Sequence, residues 1–175
     1  FGVNFADGRI KGYPISGNVS SPEFYLRLVR NSTDNNYGVN ALALSSENTI
    51  YDSATGLTWM QSDSGAEQFA PAFTATTFDN GSVNWQEALN FCNELELDEI
   101  TNWRLPTAKE LQSILDYTKS PDTSASAAIN NIFQSTEILN EAGNTDYPFY
   151  WTSTTFLPGS DAVYFAFGRA LGYFS

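Results

Sequence analysis

The sequence predicts one α+β domain, built from antiparallel sheets with two helices and long irregular loops. Two capped helical patterns lie mid-chain, at 84–95 and 107–117. Strand-like alternation flanks them on both sides, and the polar stretches 62–83 and 118–147 carry no sustained period. At 175 residues the chain is long enough for one core and too short for two ordinary domains. Its 15% aromatic content, with 13 Phe, 9 Tyr and 4 Trp, is that of a packed body rather than a disordered tail.

Taken in order, the chain opens on an internal repeat. GVNFADGRIKGYP (2–14) and AVYFAFGRALGYF (162–174) match at seven of thirteen positions, among them Gly8/Gly168 and Arg9/Arg169. Each copy reads as two short strands turning through a Gly-Arg step. The first copy runs on into FYLRLVRN (24–31), where Tyr25, Arg27 and Val29 share one strand face. Residues 1–30 thus resemble the closing hairpin and strand of a preceding repeat. Residues 31–47 read as a polar linker with weak strand character at 39–44, and residues 48–175 as the domain itself.

NTIYDSATGLTWMQ (48–61) reads as strand, turn, strand. In NWQEALNFCNEL, Asn84 stands as N-cap with Glu87 three residues on, and Trp85, Ala88, Leu89, Cys92 and Leu95 form an apolar face. NWRLPTAKEL (102–111) passes from an extended piece into a second helix. Pro106 keeps Leu105 extended, and Thr107 with Glu110 forms a capping box. Ala108, Leu111, Ile114 and Leu115 then face inward. A further short helix is expected around residues 127–133, and YWTSTTF (150–156) alternates as a strand.

The ordered set YDSATGLTWMQ, VNWQEALNFCNEL, NWRLPTAKEL, YWTST and VYFAFGRALGY resembles the C-terminal domain of the Legionella collagen-like adhesins. The resemblance covers residues 48–174. It implies a C-type-lectin-like fold related to formylglycine-generating enzyme, an extracellular or cell-surface bacterial location, and binding of sulfated polysaccharides. The chain departs from the last of these. Its net charge is −12, with +2 on residues 1–30 and −14 on the remainder, whereas a polyanion binder is expected to be basic. An acidic body also repels nucleic acid and anionic membranes. No run approaches the roughly 18 apolar residues of a membrane span.

Catalysis is not expected. The chain has no histidine, the commonest general base. The enzyme relative works through a pair of reactive cysteines, whereas Cys92 is single, which excludes an internal disulfide, and its place on the apolar helix face reads as packing. No cofactor is expected, with calcium kept open. STDNNYG (32–38), FDNGS (78–82) and ELELDE (94–99) concentrate oxygen ligands, giving Asp34 and Asp79 as candidate metal ligands, yet Asp-Asn-Gly is also ordinary turn chemistry. Trp59, Trp85, Trp103 and Trp151 read as core. Asp79, Asn80, Tyr147 and Tyr150, on the polar-aromatic loops, are the candidate ligand contacts. Arg9 and Arg169 are expected to bond neighbouring carbonyls.

These readings converge on a non-catalytic binding or adhesion module for a glycan or another cell-surface ligand. The alternative is a structural repeat unit that contacts a neighbouring repeat and has no ligand of its own. Because residues 1–30 are too few to bury a core alone, they are expected to pack against the body or bridge to another copy. Deleting residues 1–30 should then lower the melting temperature or cause aggregation. A shortened protein that stays monomeric and melts unchanged would show the segment to be a dangling end.

Overall fold

The computed structural model describes residues 39–73, 81–156 and 161–169, together with two dipeptide strands near the start of the chain. The chain divides into two compact units, Phe1–Val39 and Asn40–Ser175. In the first, β1 (Gly2–Val3) pairs antiparallel with β2 (Ile10–Lys11), as expected of the first repeat copy. The strand expected at 24–30, and the packing expected of residues 1–30, lie outside the described residues.

The second unit begins with a three-stranded antiparallel sheet of β3 (Leu42–Leu44), β4 (Thr49–Asp52) and β5 (Leu57–Met60). The turn from β4 to β5 is fixed by Asp52. Its buried carboxylate accepts hydrogen bonds from Ala41 N (2.8 Å), Ala54 N (3.1 Å) and Thr55 Oγ1 (2.7 Å). Gly56 closes the turn at φ +74°, a backbone region that disfavours side chains. The long loop after β5 contains a 3₁₀ turn over Glu67–Phe73, which places Phe69 edge-on against Phe91.

Helices α1 (Trp85–Glu94) and α2 (Ala108–Ser113) both start with the expected capping boxes, at Asn84/Glu87 and Thr107/Glu110. Each box satisfies backbone donors that the first helical turn leaves open. α2 is shorter than its sequence pattern, because Ile114 leaves helical geometry at ψ 1°. The helix expected at 127–133 does not form. A single turn, α3 (Pro121–Ser124), forms earlier, where Ser120 caps it and Pro121 presets its first residue. Ala127 and Ile129 enter the core from non-helical backbone, and Ile129 forms a bridge with Leu115.

The short strands β6 (Ile138–Leu139) and β7 (Thr145–Asp146) form one pair. β8 (Phe149–Phe156) and β9 (Asp161–Ala166) form another, with Trp151 opposite Tyr164. The first strand of the second repeat copy is thus β9, and its partner is β8; residues 170–174 lie outside the described residues. Leu111 and Ile114, Ala127, Ile129, Tyr147 and Phe167 make the core, with Trp59, Leu115, Phe133, Tyr150 and Phe165 packed against it. The architecture is α+β, with its antiparallel strands shared among several small sheets.

The Gly-Arg step of the second repeat copy ties Gly168 and Arg169 to this core. Asp146 Oδ1 accepts from Tyr147 N and Arg169 N, both at 2.9 Å, and Oδ2 accepts from Asn140 Nδ2 at 3.2 Å. Burial would raise the Asp146 carboxyl, but these donors and the nearby Arg169 charge hold it below its ordinary range. Arg169 donates to Thr145 O (2.6 Å) and to Asp122 Oδ1 (2.9 Å), so the expected bond to a neighbouring carbonyl is present. Gly168 passes directly over this cluster, where an added Cβ would collide with Asp146 Oδ1 and the Tyr147 backbone. Gly168→Ala should therefore cost about 1–3 kcal/mol, read by urea or thermal unfolding. Unchanged stability would show that the cluster yields easily.

Candidate functional site

The segment 100–106 and the start of α2 form a rigid corner. Arg104 makes a two-pronged ion pair with Glu110, Nη1 to Oε2 at 2.8 Å and Nη2 to Oε1 at 2.7 Å. Glu110 Oε2 also accepts Thr107 N at 2.7 Å, so one carboxylate both caps α2 and clamps the segment before it. Pro106 O accepts Ser153 N (2.9 Å), and Ala108 N donates to Thr154 Oγ1 (3.0 Å), docking the corner on β8. Before the corner, Asp98, Glu99 and Asn102 adopt left-handed φ of 54°, 62° and 61°. Trp103 stands half-buried, its Nε1 donating to Ile100 O at 3.0 Å.

This corner is one wall of a cleft of about 500 Å³. β5 with residues 61–64 forms the facing wall, and α1, through Phe91 and Cys92, closes one side; Tyr150 and Trp151 from β8 reach in from below. Two reciprocal indole bonds hold α1 to β8: Trp85 Nε1 donates to Thr152 O and Trp151 Nε1 to Val83 O, both at 2.9 Å. Asp63 locks the facing wall. It accepts from Gly65 N (3.1 Å), Thr136 N (2.8 Å), Thr136 Oγ1 (2.5 Å) and Tyr150 Oη (2.6 Å). Burial, with the Asp63 charge beside it, pushes the Tyr150 phenol up, so it remains a donor. Burial also pushes the Cys92 thiol up.

The candidate contacts from the sequence fall in different places. Tyr150 lines the cleft, while Tyr147 is a core residue. Asp79 and Asn80, and Asp34 with its loop, lie outside the described residues. At 94–99 the one carboxylate with defined partners is Asp98, which takes hydrogen bonds from the Ser46 hydroxyl and from Asn48 Nδ2 (2.8 Å). These bonds lower its pKa and fix a turn. No group of three or more His, Cys, Asp or Glu side chains is placed to hold a metal ion among the described residues. No described helix is long and apolar enough to cross a membrane. Sequence reasoning missed the cleft itself. Its signal was the NWRLPTAKEL motif, where Trp103 reads as core but stands at the cleft wall.

Scaffold and cleft together define a small α+β domain with a recessed aromatic site. The family model for the Lcl C-terminal domain matches residues 48–174, and the chain belongs to that family. Membership makes it a surface adhesin-like domain. Neither a curated protein nor a solved structure matches the chain.

The corner predicts a pH dependence. The Arg104 hydrogen bonds, together with those from Thr107, lower the Glu110 pKa from 4.5 to about 2. A carboxyl held below its unfolded value contributes stability above that value and loses it as pH falls through the folded one. The stability gap between the protein and Glu110→Gln should therefore be widest above about pH 5 and close towards about pH 2. Arg104→Gln should move that closure to higher pH. Urea unfolding at stepped pH reads both, and a gap that stays constant with pH would contradict the clamp.

Proposed function

We propose that the protein is a non-catalytic, cell-surface or secreted binding module that recognises a glycan or another cell-surface ligand through the cleft beside Trp103. The observation that carries this reading is the cleft itself, a recess of about 500 Å³ with indole and phenyl side chains in its walls and a few fixed polar groups. Specific small-ligand sites have this composition and size. The family's adhesin character points the same way. A C-type-lectin-like arrangement belongs to this reading, with irregular loops on a helix-and-strand scaffold presenting the site.

The non-catalytic part rests on chemistry. The chain has no histidine, and its only thiol is shifted upwards, whereas a nucleophilic cysteine needs its pKa lowered. A second reading, a structural repeat unit without a ligand, draws on the seven-in-thirteen internal match. It predicts silence in every binding assay.

A glycan array run beside a panel of cell-surface proteins separates the two. Under the binding reading, some ligand is retained, and Trp103→Ala weakens it at least about tenfold, the loss of a central aromatic contact. The same substitution should cost less stability than the roughly 3–5 kcal/mol of a fully buried tryptophan. Silence on both panels would overturn the reading, and binding indifferent to Trp103→Ala would move the contact out of the cleft.

A further inference from the structure

Three charged side chains line the cleft: Asp63, Arg104 and Glu110. Each of them already has its charge compensated or hydrogen-bonded within the protein. The Arg104 guanidinium is neutralised by the two-pronged Glu110 contact and also donates to Leu105 O at 3.2 Å. The Asp63 carboxylate is saturated by four donors. The described lining therefore offers no uncompensated cation, and it lies in the part of the chain that carries −14. A polyanion entering here would lose its hydration and gain no ion pair in return.

The groups that remain available are uncharged. Thr101 and Asn102 are exposed at the cleft wall, and neither side chain hydrogen-bonds another described residue. The left-handed backbone at Asn102 sets them in sequence with Trp103. Hydroxyl and amide each both donate and accept, which suits a ligand whose own groups do the same. The Trp103 N–H is already engaged by Ile100 O, so the indole contributes its apolar surface to a ligand.

Resting on the binding reading above, we infer that the cleft takes an uncharged, hydroxyl-rich ligand with one apolar face, a neutral saccharide, and excludes sulfated or uronate-rich chains. The apolar face lies on Trp103, and hydroxyls meet Thr101 and Asn102. Binding is then insensitive to salt, since no counterions are released and no charges pair.

The test uses the full chain on an array carrying uncharged, sulfated and uronate glycans, followed by calorimetry with cellotriose, maltotriose, mannotriose and heparin. Uncharged glycans should be retained, with affinity changing less than about twofold between about 50 and about 500 mM salt. Asn102→Gly keeps the left-handed backbone and removes the amide; it should weaken binding at least about fivefold, in line with a lost ligand hydrogen bond, at an unchanged melting temperature. In the unsubstituted protein a bound saccharide should slow alkylation of Cys92, which lines the cleft. Retention of sulfated glycans alone, with affinity falling steeply as salt rises, would overturn this inference and leave the broader binding reading standing. Retention of surface proteins without any glycan would do the same. Unslowed Cys92 alkylation by a bound neutral saccharide would also overturn it, by placing the sugar outside the cleft.

Discussion

The Glu110 carboxylate holds together elements that no single stretch of secondary structure connects. One oxygen caps α2 through Thr107 N and meets Arg104 Nη1, and the other takes Arg104 Nη2. The segment carrying Trp103 is thereby fixed at the start of the helix that supplies Leu111 to the core. Pro106 O and Ala108 N then hang the whole corner on β8. Without the clamp the capping hydrogen bonds would still start the helix, but the segment carrying Trp103 would lose its side-chain tie to that helix.

The same device recurs through the domain. Asp52 fixes the β4–β5 turn, Asp63 gathers residues 65, 136 and 150, and Asp146 collects the backbone of Tyr147 and Arg169. Each carboxylate takes several donors, and two of the three, Asp52 and Asp146, are buried. Buried carboxylates are tolerated only when satisfied in this way. Part of the −12 charge is thus structural, used to tie loops that have too little regular structure to tie themselves. A chain with small sheets and short helices needs such ties, because its backbone ladders are brief.

What was legible in the sequence was local. Both capping boxes were readable because their signal lies within four residues, and the β4–β5 turn because Asp, Thr and Gly each have a specific place in it. The family was readable from five motifs in order. Tyr147 and Tyr150 looked alike as loop aromatics, yet the Asp146 carboxylate takes the Tyr147 N–H and the ring turns into the core, while Tyr150 reaches Asp63. Apolar spacing at 127–133 resembled a helix, but the Ser120-Pro121 pair starts a turn earlier and Ala125, at φ 50°, ends it. The cleft was not legible because its walls come from β5, α1, residues 100–106 and β8, which only the folded chain brings together. Trp103 belongs to a motif whose structural role, the clamp, concealed its second position at a surface.

The four tryptophans turn this arrangement into an internal set of probes. Trp59, Trp103 and Trp151 line the cleft, whereas Trp85 does not. Trp85 instead donates its indole N–H to Thr152 O. The most direct test of the account is a nuclear magnetic resonance titration of the four indole N–H signals with cellotriose, maltotriose and mannotriose in turn. The account predicts a saturable shift at Trp103 with at least one of these sugars, smaller responses at the other cleft tryptophans and none at Trp85. Four stationary signals with every sugar, or a shift confined to Trp85, would contradict it.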